Sequence, residues 1–303
     1  MQHEAKRILL RALVRIMMSP DMPVDERALI ADLDALLQFV SMRTKFVRDN
    51  LSLAGIRLRR EAALRGVLAR LDAFIAGVVD GCRSGEMRAG LMLETLLPAE
   101  ARGEVDAANL HDEIGTLLLA GFDTTAALVT FALWHLADRP DLCAALRGES
   151  GQRATPRTDE VLRETLRLFP AVWAIHRTAA EDIEIGGYRI PRGEHVMAVP
   201  YALQRNPAFW PDPDRFVPER FAGAPENDTL LGLEYLPFSH GRHTCIGKRM
   251  AMQQARQMIG QIVSAVDLAR VGPQPRLIAG IILKAAGGLP LRVTPRGAAP
   301  HEG

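Results

Sequence analysis

The stretch PFSHGRHTCIGKRMA, residues Pro237–Ala251, places one cysteine, Cys245, between Gly241 and Gly247 at the mouth of a helix. A helix N-terminus presents free N–H groups and the positive end of the dipole, a setting that favours a thiolate. The flanking glycines permit a tight backbone path and close approach to something flat or bulky. Arg242 and His243 add positive or hydrogen-bonding groups. Three chemistries fit this setting: an axial thiolate on iron, tuned by backbone N–H groups; a nucleophile; or an ordinary cysteine in a turn. The local residues leave all three open.

Outward from that loop, the chain reads as a large helical body with a minor sheet component. VDERALIADLDALLQFVSMRTKF carries Leu29, Leu33, Leu36, Leu37 and Val40 at helical spacing, and REAALRGVLARLDAFIAGVV continues the pattern. GCRSGEMRAG reads as a loop. The apolar stretch Ile114–Ala137 is predicted to be one long helix, capped by Asp106 or Asn109 and ended by Pro140. At a rise of about 1.5 Å per residue it is long enough to cross a bilayer. However, Asp123 in mid-span would cost roughly 3 kcal/mol, so a central helix of a globular fold is the expectation and no membrane span is predicted. PDLCAALRGE and DEVLRETLRLF are predicted helices, with SGQRATPRT a linker between them. From Ile183 the texture changes: IEIGGYRIPRGEHVMAVP reads as a hairpin or small sheet, NPAFWPDPDRFVPERF as ordered but irregular, and IILKAAGGLPLRVTP as a further hairpin.

The 303 residues suffice for one large domain or two ordinary ones; a single domain is the expectation, 1–182 mainly helical and 183–303 carrying hairpins, the cysteine loop and a C-terminal helix. The formal net charge of +1 gives no global electrostatic reason to expect nucleic acid as a partner. Cys82, Cys143 and Cys245 form no CxxC pair and no even-numbered framework, which points to a reducing compartment. MQHEAKRILLRALVRIMMSPDMP is interrupted by Arg11 and Arg15 and reads as a fold helix, not a signal peptide.

The arrangement Phe238-x-x-Gly241-x-His243-x-Cys245-x-Gly247 resembles the haem-binding loop of cytochrome P450s, with His243 where the family usually has Arg. The resemblance implies a mainly α P450 fold with haem b (iron protoporphyrin IX) as cofactor. Cys245 would be its proximal iron ligand, and His243 would hydrogen-bond a propionate. AGFDTT, Ala120–Thr125, resembles the family's distal oxygen-binding helix. Helical spacing puts Leu117, Gly121, Thr124 and Leu128 on one face. Gly121 would leave room there for a bound diatomic or water. Thr124 would bond to helix carbonyls or to a ligand, while Asp123, pointing elsewhere, would pass protons from solvent. By resemblance, Asp123 and Thr124 together supply protons for O–O cleavage.

Glu164 and Arg167 in ETLR, joined by Arg220 of PERF, match the family's buried structural network beneath the haem. Arg177 holds the position that reaches a propionate; AVWAI (Ala171–Ile175) and AGIIL (Ala279–Leu283) would line the substrate pocket. Gln204, where the family often has His, receives no functional weight. The implied activity is insertion of one oxygen atom from O2 into a small apolar organic substrate. No flavin, nicotinamide or iron–sulfur motif is present, so electrons would come from a separate ferredoxin or flavoprotein partner, with Lys248 and Arg249 near its docking face. The His243 variation leans bacterial and cytoplasmic. The match is to the C-terminal part of the family, so an N-terminally truncated fold is expected, with a non-catalytic or weakly haem-binding remnant as the alternative function. A peroxide-using or isomerising relative is disfavoured by the Asp123–Thr124 pair.

Overall fold

The structure, a computed structural model, describes residues 2–45, 54–149, 156–224 and 232–296. The chain forms two compact units, Met1–Ala126 and Ala127–Gly303. Part of the linker expected at SGQRATPRT, residues 150–155, lies outside the described residues.

The first unit is helical. It contains α1 (Gln2–Leu13), α2 (Glu26–Lys45), α3 (Ala54–Ser84), α4 (Leu91–Ala101), α5 (Ala107–Gly121) and the start of α6 (Asp123–Leu136). On α1, Ala5, Lys6, Leu9, Leu10 and Leu13 are buried, an i, i+4 stripe with one lysine in it. The predicted loop after α3 is shorter than expected, because the helix runs on through Cys82 to Ser84. Asp106 caps α5, its carboxylate accepting the Asn109 N–H at 2.7 Å, so the two candidate caps act together.

The single long helix expected across Ile114–Ala137 is instead two, α5 and α6, interrupted at Phe122. The physical cause is threonine bonding back to the helix. The Thr124 hydroxyl donates to the Ala120 carbonyl (2.8 Å) and the Thr125 hydroxyl to the Gly121 carbonyl (3.3 Å). Such i−4 back-bonding diverts carbonyls from the main-chain ladder and bends helices. Residues 107–136 are long and apolar enough to cross a membrane, and 67% of the most apolar window is buried.

Among its described residues the second unit holds α7 (Pro140–Glu149), α8 (Pro156–Leu168), α9 (Pro200–Leu203) and α10 (Lys248–Ala265), with eight short strands. These pair antiparallel as β1 (Ile175–Thr178) with β4 (His195–Ala198), β2 (Ile183–Ile185) with β3 (Tyr188–Ile190), β5 (Val266–Arg270) with β8 (Leu291–Pro295), and β6 (Leu277–Ala279) with β7 (Leu283–Ala285). IEIGGYRI is a hairpin through Gly186 and Gly187, both at positive φ (58° and 82°), the geometry of the primed turns that suit strand twist. The tail differs from its reading as one hairpin. Its two strands, β7 and β8, pair with earlier strands, so β6–β7 is nested inside β5–β8. The GGLP run between them is therefore a crossing, not a hairpin turn.

The core of this unit stacks Phe131 on Phe169 (centroids 4.3 Å apart), with Trp134, Leu168, Leu283 and Leu289. His135 lies beside it, stacked on Phe216 at 4.2 Å, with its Nε2 buried and without a hydrogen-bond partner. Desolvation, then the nearby Arg270 and Arg205 charges, push the imidazole down from 6.5 to about 3. The folded state thus disfavours the proton. The resulting stability is present above about pH 6.5 and is lost as pH falls towards 3. His135→Phe should flatten that acid-side loss in urea midpoints measured from pH 7 to pH 4; an unchanged slope would remove His135 as its source.

Candidate haem-thiolate site

The cysteine loop is built in the second unit. The Cys245 N–H donates to the Phe238 carbonyl at 2.9 Å, closing the loop on itself, and the Thr244 hydroxyl donates to the Gly241 carbonyl at 2.8 Å. Gly241 sits at φ +69° and opens a short 3-10 turn through His243, so a side chain there would be strained. Gly247, at φ −80°, needs no glycine for its backbone; an added Cβ would lie 3.8 Å from the Cys245 sulfur. Its expected role in permitting a tight path is corrected accordingly: the missing side chain leaves open space beside the thiol. Phe238 is half-buried, with the Lys248 ammonium 5.7 Å from its ring centroid. Cys245, His243 and Arg242 are exposed. Ile246 is 93% exposed, an isoleucine with no packing role of its own inside the fold.

The acid–arginine network is centred on α8. Glu164 and Arg167 are fully buried and pair through two bonds, Nε to Oε2 at 2.7 Å and Nη2 to Oε1 at 2.9 Å. The Arg220 guanidinium stands 3.5 Å from the same Glu164 oxygen, and the Val217 N–H donates to it at 2.8 Å. Arg167 also donates to the carbonyls of Gln204 (2.8 Å), Pro213 (2.7 Å) and Arg215 (3.1 Å). This explains how an irregular, proline-rich segment stays ordered. With no ladder to satisfy its carbonyls, it takes donors from one buried guanidinium. A second pair, Arg256 with Asp159, joins α8 to α10, the helix that follows the thiol.

Arg177 lies on β1, exposed, and among the described residues donates to the neighbouring His176 carbonyl at 2.8 Å. The two segments read as pocket-lining are brought together: the Trp173 indole donates to the Gly280 carbonyl at 2.6 Å and the Leu283 N–H to the Ala171 carbonyl at 2.9 Å. Trp173 also packs against the aromatic core.

The first unit holds Gly121, Asp123 and Thr124, and the expectation for Gly121 is corrected there. Gly121 does not open free space along its Cβ direction: an added Cβ would meet Leu13 of α1 at 3.0 Å, so the glycine serves close helix packing. Asp123 does not face solvent. It is fully buried, 3.1 Å from the Lys6 ammonium, which also donates to Asp34 at 2.7 and 3.0 Å. Burial alone would lower the Lys6 pKa, but the two carboxylates outweigh it and hold it above the ordinary lysine value. Lys6 was invisible in the sequence, where it looks like one charge of a basic helix. The only signal was its place in the buried i, i+4 stripe. Lys6→Met should take the ammonium away from a fully buried carboxylate and cost about 3–5 kcal/mol. Urea unfolding would measure it, and Asp123→Asn in the same background should restore part of the loss. A cost under about 1 kcal/mol, as for an exposed pair, would contradict this arrangement.

Among the described residues no three His, Cys, Asp or Glu side chains converge on a metal position. The donor set instead fits an iron whose other ligands come from a macrocycle: one exposed thiol on a closed loop. Arg177, Arg242 and His243 are exposed without a carboxylate partner among the described residues, as propionate recognition requires.

Comparison with known proteins agrees. The family described as Cytochrome P450 matches residues 83–285, more than half of the chain. Cyclooctatin synthase of Streptomyces melanosporofaciens is 34% identical over 246 residues, covering 74% of this chain and 53% of that protein. Cytochrome P450 4d2 of Drosophila melanogaster is 31% identical, covering 70% of this chain and 45% of its own length. The chain thus spans about half the length of the curated relatives it matches. The solved haem domain of cytochrome P450DA superposes with a TM-score of 0.82 at 22% identity, over 99% of this chain and 68% of that one. Fold, loop and sequence converge, and the chain belongs to the cytochrome P450 family.

Proposed function

We propose that this chain carries the haem-thiolate core of a cytoplasmic monooxygenase that inserts one oxygen atom from O2 into an apolar organic substrate. The observation that carries the reading is the closed cysteine loop, with the Cys245 N–H on the Phe238 carbonyl, in the same unit as a fully buried Glu164–Arg167 pair. Haem b, when bound, supplies oxygen activation, with electrons delivered by a separate ferredoxin or flavoprotein partner. Cys245 would hold the iron and donate electron density to it. Arg177 and His243 would bind the propionates. Thr124 and Asp123 hold and move protons on the distal helix, and the link from Asp123 towards solvent passes through Lys6 to the part-exposed Asp34. Val172 and Ile278, both exposed apolar side chains, suit an apolar substrate wall.

The test is a carbon monoxide difference spectrum of the reduced chain after haem supplementation. The strongly red-shifted Soret band of a thiolate-ligated haem is expected. A band at the position of histidine-ligated haem, or no haem signal, would overturn the reading and leave a remnant of the fold without the chemistry.

A further inference from the structure

Helix α8 ends at Leu168, and its last carbonyls have no helical donors. The N–H that should meet the Leu166 carbonyl belongs to position 170, which is proline and has none. The structure fills the gap from elsewhere in the same unit. The Gln204 side-chain amide donates to the Leu166 carbonyl at 3.0 Å and to the Arg167 carbonyl at 2.9 Å. Its own Oε1 accepts the Leu236 N–H at 2.8 Å. Gln204 is fully buried, and its main-chain carbonyl takes the Arg167 guanidinium.

Two carbonyls on one side and an N–H on the other dictate the orientation of the amide. They also dictate the residue type: a neutral group with two donors and an acceptor is a carboxamide. An ionised glutamate has no donor, and a neutral histidine has one donor and one acceptor.

Leu236 stands two residues ahead of Phe238, whose carbonyl holds the Cys245 N–H. From these contacts we infer that Gln204 is a positioning residue for the thiolate: it clamps the start of the cysteine loop to the end of α8 and so sets where Cys245 is held. The acid–arginine network acts on the same helix and meets Gln204 at its main-chain carbonyl, while the Tyr235 hydroxyl, one residue ahead of Leu236, adds a second tie to that helix by donating to the Arg163 carbonyl at 3.0 Å. The inference rests on the proposed role of Cys245 as iron ligand.

The experiment compares the full chain with Gln204→Met, which keeps length and loses every polar atom, and Gln204→His. Amide hydrogen exchange is followed first without haem. Gln204→Met removes three buried hydrogen bonds; the one to the Leu236 N–H, worth about 1–1.5 kcal/mol, should by its loss speed exchange of the loop by about tenfold. In Gln204→Met that acceleration is expected at both Leu236 and Cys245, with the β5 and β8 amides unchanged. Gln204→His, able to accept from Leu236, should keep Cys245 near its original rate. With haem and carbon monoxide, the thiolate-type band should shrink in Gln204→Met relative to a band at the histidine-haem position, and return in Gln204→His.

Acceleration at Leu236 without any at Cys245 would overturn the clamp, as would equal acceleration in β5 and β8, which would make Gln204 an ordinary core residue. If Gln204→Met does not fold, Gln204→His decides, and fast Cys245 exchange there would overturn the inference. An original chain without the thiolate band would sink the proposed function, while the exchange result would still decide whether Gln204 holds the loop.

Discussion

Cys245→Ser should abolish the red-shifted carbon monoxide band completely while leaving the fold intact. A serine hydroxyl cannot replace a thiolate as an electron-donating iron ligand, so no graded loss is expected. The fold should not notice the change. Cys245 is exposed, its sulfur makes no hydrogen bond among the described residues, and the loop is closed by its main-chain N–H, which serine keeps. Substitutions at such positions usually fall within about 0.5 kcal/mol. The paired measurement is the spectrum together with the urea midpoint. Retention of the band would show that Cys245 is not the ligand. A large fall in the midpoint would show that the cysteine is a structural residue of the turn.

Arg167→Leu should give the opposite pattern: the fold fails first. The guanidinium bonds Glu164 twice and holds the carbonyls of Gln204, Pro213 and Arg215, all in fully or partly buried surroundings. It also lies over the Trp210 ring at 5.2 Å. Its removal strands Glu164, which is fully buried, with Arg220 at 3.5 Å as its remaining cation. Breaking one side of such a pair typically costs about 3–5 kcal/mol, against a total stability of about 5–15 kcal/mol. The double variant Glu164→Leu/Arg167→Leu should cost less than the sum of the two single variants, because neither member of the fully buried pair is left without the other. A single-variant cost near that of a surface ion pair, under about 1 kcal/mol, would contradict the network.

How much of this was legible beforehand depends on sequence distance. The Glu164–Arg167 pair is three residues apart on one helix, so the pairing follows from helical spacing. The Asp106 cap and the hairpin at Gly186–Gly187 are likewise short-range, written in residues that lie next to one another. The nested pairing of β5 with β8 was not legible, since short alternating strands carry no label for their partner. The break at Phe122 was missed for a related reason. Apolar periodicity runs straight through it, and only the direction of two threonine hydroxyls marks the interruption.

The chain's own sequence determined its family, through the order and spacing of the residues around Cys245, and its mainly helical class, through period-3.6 patterning. Tertiary structure alone decided the surroundings of the charges. Lys6 under Asp123, Leu13 against Gly121, and Gln204 between α8 and the cysteine loop all join residues far apart in the chain. Burial of a charged or polar group is favourable only when a partner arrives from another element, and which partner arrives is set by packing, not by local propensity.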